Sequence, residues 1–222
     1  MCKYNSQEVL KEYRKIYNNE DGVFQKLKKL HKENPYTVED NVINNSKICF
    51  IFSCPGREEL IQNKVCSGET GENLDELLKI LGSKKGLVFP SCNRYDYDIL
   101  NASNRVHFYA LDKKTEANKS EIEKCFQRIS GYIEKNKNLS YIILFGKKAQ
   151  ILREFIEPCI TSKKPKIHII HAPHLGYQSL NQIDEDIEGD KICDEKYSES
   201  EERTNARLQV VANEIIDQIE AK

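Results

Sequence analysis

The sequence has no C-x-x-C pair, although it contains eight cysteines, at positions 2, 49, 54, 66, 92, 125, 159 and 193. That spacing excludes a zinc ribbon and a redox dithiol. Cys49 and Cys125 lie on apolar segments, where a free thiol behaves as a small core residue, and free buried thiols suit a reducing compartment. Long hydrophobic runs are also missing. The longest, such as Ile48–Phe52, is far too short to cross a bilayer. No apolar stretch follows Met1, so there is no signal-peptide pattern, and a cytoplasmic protein without a membrane partner is expected. Proline and glycine are scarce, at 6 and 10 residues, which excludes collagenous and low-complexity classes.

What is present is the composition of a folded domain: 39% hydrophobic and 31% charged residues over 222 positions. One domain of that length buries a core without disulfide or metal staples. The net charge of −1 is unevenly distributed. Residues 184–202 hold ten acids against Lys191 and Lys196, a local charge of −8 that leaves +7 on the rest. This stretch reads as an acidic surface loop, and the mildly basic remainder is compatible with a nucleic-acid partner.

Periodicity predicts helices in the first 46 residues, through Val9, Leu10, Tyr13 and Tyr17 and then Phe24, Leu27 and Leu30, before a turn-rich stretch from Asn34 to Asn45. Lys47–Ser53 reads as a strand buried on both faces, ended by Pro55-Gly56. A glycine-flanked loop, 67–71, opens a helix through Leu74, Leu77, Leu78 and Leu81, stopped by Gly82. Gly86–Phe89 is a second strand candidate and Arg105–Leu111 a third. Helix Lys119–Lys137, strand Tyr141–Phe145, helix Gly146–Glu157, strand Ile167–Ile170 and helix 203–220 follow. Strands alternating with helices predict a three-layer α/β/α sandwich around a mainly parallel four-stranded sheet in a single domain. Function in such sheets gathers at the carboxyl ends of the strands, here the loops after Phe52, Phe89 and Ile170.

Two of those loops hold chemistry-bearing residues. After Phe52 comes Ser53-Cys54-Pro55-Gly56, then Glu58 and Glu59, then Cys66 and Gly68-Glu69-Thr70-Gly71. A Pro-Gly turn lets backbone N–H groups approach a ligand, but no Lys-Ser/Thr follows the glycines, so this is not a nucleotide P-loop. The last loop carries His171 and His174 with Gly176, Tyr177, Gln178 and Asn181. Histidine at a strand's carboxyl end has a donor and a pKa usable near neutrality, whereas His168, inside the strand, reads as a packed residue.

The ordered set resembles the uracil-DNA glycosylase superfamily over roughly residues 47–182. The matching pieces are Cys54-Pro-Gly56, Gly68-Glu-Thr-Gly71 with its leucine helix, Glu121-Ile-Glu-Lys-Cys125, the strand from Ile142 into Gly146-Lys-Lys-Ala149, and His174-Leu-Gly176. The resemblance implies a monofunctional DNA glycosylase. Such an enzyme flips a uracil or modified pyrimidine out of DNA and hydrolyses its glycosidic bond, in base-excision repair or in defence against modified viral DNA.

By position His174 matches the family histidine that stabilises the departing base. Ser53, Cys54, Pro55, Gly56, Cys66, Asn93 and His171 would line the base pocket. Gly176, Tyr177, Gln178 and Asn181 match the loop that enters the emptied stack. The family's first-motif carboxylate or amide is replaced by Ser53 and Cys54. Glu69 is therefore expected to position water, as an acid does at that loop in one branch of the superfamily, with Glu58 and Glu59 behind it. Cys66 replaces the aromatic base-stacker, and the pyrimidine-reading asparagine after the second strand falls to Asn93 with a register shift. Some relatives carry an iron–sulfur cluster, but only Cys125 stands at a matching place, so neither a cluster nor any other metal or cofactor is expected. No lysine nucleophile stands in the motifs, so lyase activity is not expected, and the protein is expected to act as a monomer. Two other readings stand beside this one: a catalytically silent nucleic-acid-binding module on the same scaffold, and a hydrolase using Cys54 as nucleophile with His174 as base.

Overall fold

A computed structural model describes residues 28–221 except 30, 34, 44, 164–166 and 194. The helices expected through Val9 to Tyr17 and Phe24 to Leu30 lie outside the described residues. Four strands form one all-parallel sheet in the order β2-β1-β3-β4, with β1 Ile48–Phe52, β2 Asp98–Asn101, β3 Tyr141–Phe145 and β4 His168–Ala172.

Alternation along each strand divides the core in two. Phe50, Phe52, Ile99, Ile143, Phe145 and Ile170 face one side. There they meet Leu74, Leu77, Leu78 and Leu81 of α2 (Glu69–Lys85) and Leu208, Val211, Ala212 and Ile215 of α8 (Ser200–Glu220). Cys49, Ile51, Leu100, Ile142 and Leu144 face the other. They pack on Ile122, Ile129 and Ile133 of α4 (Lys119–Lys135) and on Ile156 and Ile160 of α6 (Arg153–Lys163). Both sheet faces are covered, which is why β1 and β3 are almost wholly apolar. This is the expected three-layer α/β/α sandwich. Each fully buried leucine of α2 contributes about 1.5–3 kcal/mol, so that one stripe anchors the helix to the sheet. Among the described residues, no helix is long and apolar enough to cross a membrane.

Four expectations about elements are corrected. Gly86–Phe89 is not a strand: Val88 and Phe89 donate their N–H groups back to the Lys85 carbonyl, wrapping the end of α2. Phe89 plugs the core while Leu87 is exposed, so an apolar tetrapeptide here serves a helix end. Gly82 does not stop the helix; it sits inside it because a Cβ there would lie 3.2 Å from the Phe89 carbonyl oxygen. The true second strand, β2, has polar ends that hid it. Asp98 is fully buried, and its carboxylate accepts from the Ile43 N–H at 2.7 Å, the Tyr132 hydroxyl at 2.7 Å and the Asn136 amide at 3.1 Å. Arg105–Leu111 forms one antiparallel bridge, Thr37 to Arg105, and then the short helix α3 (Tyr109–Asp112). The helix expected over 146–157 divides into α5 (Gly146–Gln150) and α6.

The acidic stretch is folded rather than merely solvated. Asp186 accepts from the Lys196 ammonium at 2.7 Å and the Tyr197 hydroxyl at 2.6 Å, and these bonds hold its carboxyl well below the usual range. Asp186, Glu188 and Asp190 converge there, with the Lys196 ammonium among them.

Candidate functional site at the carboxyl ends of the strands

Beyond β1 and β2 the ladder continues: Ala102 N–H donates to the Phe52 carbonyl at 2.7 Å and Ser103 N–H to the Ser53 carbonyl at 2.9 Å. These bonds carry the chain to Pro55, whose carbonyl accepts from the His107 N–H at 2.9 Å. Gly56 then caps α1 (Arg57–Gln62), its N–H donating to Glu59 Oε2 at 2.9 Å. Burial raises the pKa of that Glu59 carboxyl, while Glu58 turns to Arg57 at 3.1 Å.

Burial pushes the Cys54 thiol up to about 12. It donates weakly to the Thr115 carbonyl at 3.9 Å. A thiol so held is a poor nucleophile near neutral pH. Cys66 is buried in the core beside α2, and burial pushes its thiol up as well, so it presents no stacking surface to a base. Its carbonyl oxygen lies 2.1 Å from where a Cβ on Gly71 would be. Glycine at 71 is therefore what lets the 66–71 loop close onto α2. Glu69 is exposed in the first turn of that helix.

The histidine loop docks onto the same corner. Asn73 of α2, itself buried, donates to the Leu175 carbonyl at 2.8 Å. His174 packs edge-on to the Phe52 ring, with centroids 6.0 Å apart. Its Nδ1 accepts the Gly176 N–H at 2.9 Å. With Nδ1 used as acceptor, the ring proton of neutral imidazole resides on Nε2. Burial lowers the His174 pKa, with Glu116 acting in the opposite direction. A neutral Nε2–H donor is the form that can stabilise developing negative charge without transferring a full proton. Gly176 also approaches Thr70, and Tyr177 and Gln178 follow as exposed residues of α7 (Tyr177–Leu180).

The fold thus gathers Ser53–Gly56, Glu58, Glu59, the 66–71 loop, His174 and Gly176 at one corner of the sheet. It does not bring every expected residue there. Asn93 caps the 3₁₀ turn Arg94–Asp96, its side chain accepting from the Tyr95 N–H and donating to Asp96. It follows a helix end and not a strand, so the register shift that would have made it a base reader does not occur. His171 lies inside β4 opposite Leu144, on the face covered by α6, where burial and the Arg153 charge lower its pKa. Strand alternation places it away from His174. Asn181 ends α7, its N–H bonded to the Tyr177 and Ser179 carbonyls, and is half-buried.

Asn101, which sequence reasoning missed, takes the place expected of Asn93. It ends β2 opposite Phe52, is 1% exposed, and its side-chain Nδ2 has no hydrogen-bond partner. A buried amide left unpaired costs about 1–3 kcal/mol, which a ligand acceptor would recover. Its backbone is held from the sheet edge: the N–H donates to Asp40 Oδ1 at 3.2 Å, and the carbonyl accepts from Arg128, itself paired with Asp40. Reading the strand at Ile99-Leu100 instead of at 86–89 would have pointed to this asparagine.

No protein-family model matches the chain, and no curated protein is significantly similar to it in sequence.

Proposed function

We propose that this protein is a monofunctional DNA glycosylase that extrudes a pyrimidine, uracil or a modified form, and hydrolyses its N-glycosidic bond. The observation that carries the reading is that two groups adjoin Phe52, one across the β1–β2 ladder and one against its ring. One is the buried, unpartnered amide of Asn101; the other is His174, whose Nδ1 is engaged by Gly176 so that Nε2 carries the donor. An amide suits the edge of a pyrimidine, and a neutral imidazole donor suits the anion left when the base departs. The Pro55-Gly56 turn stands beside them, and the exposed Tyr177 follows His174 where a side chain would fill the emptied stack. DNA is the partner in this reading, with one protein copy per flipped nucleotide.

The cysteine-hydrolase alternative is disfavoured by the raised pKa of Cys54. The test is incubation with duplex and single-stranded oligonucleotides carrying uracil and a panel of modified pyrimidines, followed by alkaline cleavage of abasic sites. Scission at one base supports the reading. Retention of oligonucleotide in a mobility shift with no scission at any base would leave the silent binding module instead.

A further inference from the structure

Residues 102–107 run alongside the turn that would hold the base. Ala102, Ser103 and His107 donate their N–H groups to the Phe52, Ser53 and Pro55 carbonyls at 2.7, 2.9 and 2.9 Å. One strap of chain thereby fixes the carbonyls of the 52–55 segment. The strap in turn is held by the ring of His107, which is fully buried. Its Nδ1 meets Asp112 Oδ2, at the end of α3, at 2.5 Å, and its Nε2 stands 3.3 Å from Glu121 Oε2 in the first turn of α4.

The groups around this ring decide its charge. Arg105 and Lys114 also approach Glu121, at 3.6 and 3.4 Å, but both turn to its other oxygen, Oε1. The Asp112 side chain is only 14% exposed, and its ion-pair partners among the described residues are two histidines, His107 and, at 4.0 Å, His31. His31 does not supply the charge. Its Nδ1 accepts the Tyr36 N–H at 3.1 Å, and burial lowers its pKa to about 4. A carboxylate as deep as Asp112 without a cation is costly. A neutral imidazole would also turn a lone pair toward one of the two carboxylates, whereas imidazolium donates from both nitrogens.

Resting on the glycosylase reading, we infer that His107, held as an imidazolium between Asp112 and Glu121, is a positioning residue for base release that pins the strap aligning the Ser53–Gly56 turn. Being fully buried, the ring acts through its own backbone N–H on the Pro55 carbonyl and not on a base. Loss of its charge frees the strap from α3 and α4 and lets the turn drift. A displacement of about 1 Å in a group aligned with reacting atoms costs about a hundredfold in rate. DNA affinity, which rests on phosphate contacts, is largely spared.

The charge is read on the wild-type protein, so that measurement stands whether or not a variant folds. In ¹⁵N spectra near neutral pH both His107 ring nitrogens should be protonated; a neutral ring would overturn the inference. Asp112→Asn tests the strap, because it removes the charge while keeping the shape and the oxygen that accepts the Lys114 N–H. Hydrogen exchange of the His107 amide should become at least about tenfold faster in this variant, with urea unfolding showing that the fold persists. An unchanged exchange rate would also overturn the inference. Single-turnover excision of the base identified by the panel should slow about ten- to a hundredfold in Asp112→Asn, with affinity for the abasic product retained. If wild-type protein excises a base and Asp112→Asn does so at the same rate, the inference falls and the glycosylase reading stands. If wild-type protein excises nothing, both fall together.

Discussion

Asn73 and Leu175, 102 residues apart, are joined by a buried 2.8 Å hydrogen bond from the asparagine amide to the leucine carbonyl. This bond ties the first turns of α2 to the loop that presents His174. Helix and loop meet the sheet at the same corner, so movement of one displaces the other. Asn73→Ala should leave the Leu175 carbonyl buried and unpaired, lowering stability by about 1–3 kcal/mol. Equilibrium urea unfolding measures this; a change inside experimental error would show that the loop is held by other contacts.

Gly146 should not tolerate a side chain. It has a φ of +82°, and a Cβ there would lie 2.9 Å from the His174 Cβ. Gly146→Ala combines left-handed strain of order 1–3 kcal/mol with a displaced histidine. The melting temperature should fall and base release should fall with it. Gly131→Ala, in the open on α4, is the control and should be neutral or slightly stabilising.

The two histidines of the fourth strand and its loop should separate cleanly. His174→Ala should slow base release about a hundredfold or more, the cost of one donor aimed at developing negative charge, while DNA binding persists. His171→Ala should affect excision little, because its ring lies on the α6 face of the sheet. Comparable losses in both variants would mean that β4 alternation does not govern the site.

Stability should decline as pH falls below the ordinary histidine range. Burial lowers the pKa of His31 to about 4, with Arg105 and His107 adding to the effect and Asp112 and Glu121 opposing it. Burial lowers His174 and His171 as well. A depressed folded-state pKa means that the unfolded chain binds more protons between that value and about 6.5. Folding stability is therefore fully present above about 6.5 and is lost as pH drops towards 4. His31→Gln should flatten the unfolding free energy across that window; an unaltered slope would remove His31 as a contributor.

Cys54 should resist alkylation. With its thiol pushed up to about 12, iodoacetamide at pH 8 should label the exposed Cys92 and Cys193 first, and Cys54→Ala should retain base release. Selective early labelling of Cys54, read by peptide mass spectrometry, would restore the nucleophile reading.

Periodicity and apolar runs alone determined the layered α/β class, the leucine face of α2 and the strands β1, β3 and β4, because elements buried on a regular face must repeat apolar residues at the period of their own geometry. The glycine loops and His174 were legible for a related reason: turns and strand ends require particular residue types locally. β2 was not legible, since it begins and ends on polar residues, Asp98 and Asn101, and the partners that satisfy the buried Asp98, Ile43, Tyr132 and Asn136, are distant in sequence. The tertiary structure alone placed Asn101 beside Phe52, turned His171 to the opposite face and brought the Thr115 carbonyl onto the Cys54 thiol. Each of these depends on strand register or on a loop crossing another segment's end, and neither leaves a mark in the chemistry of neighbouring residues.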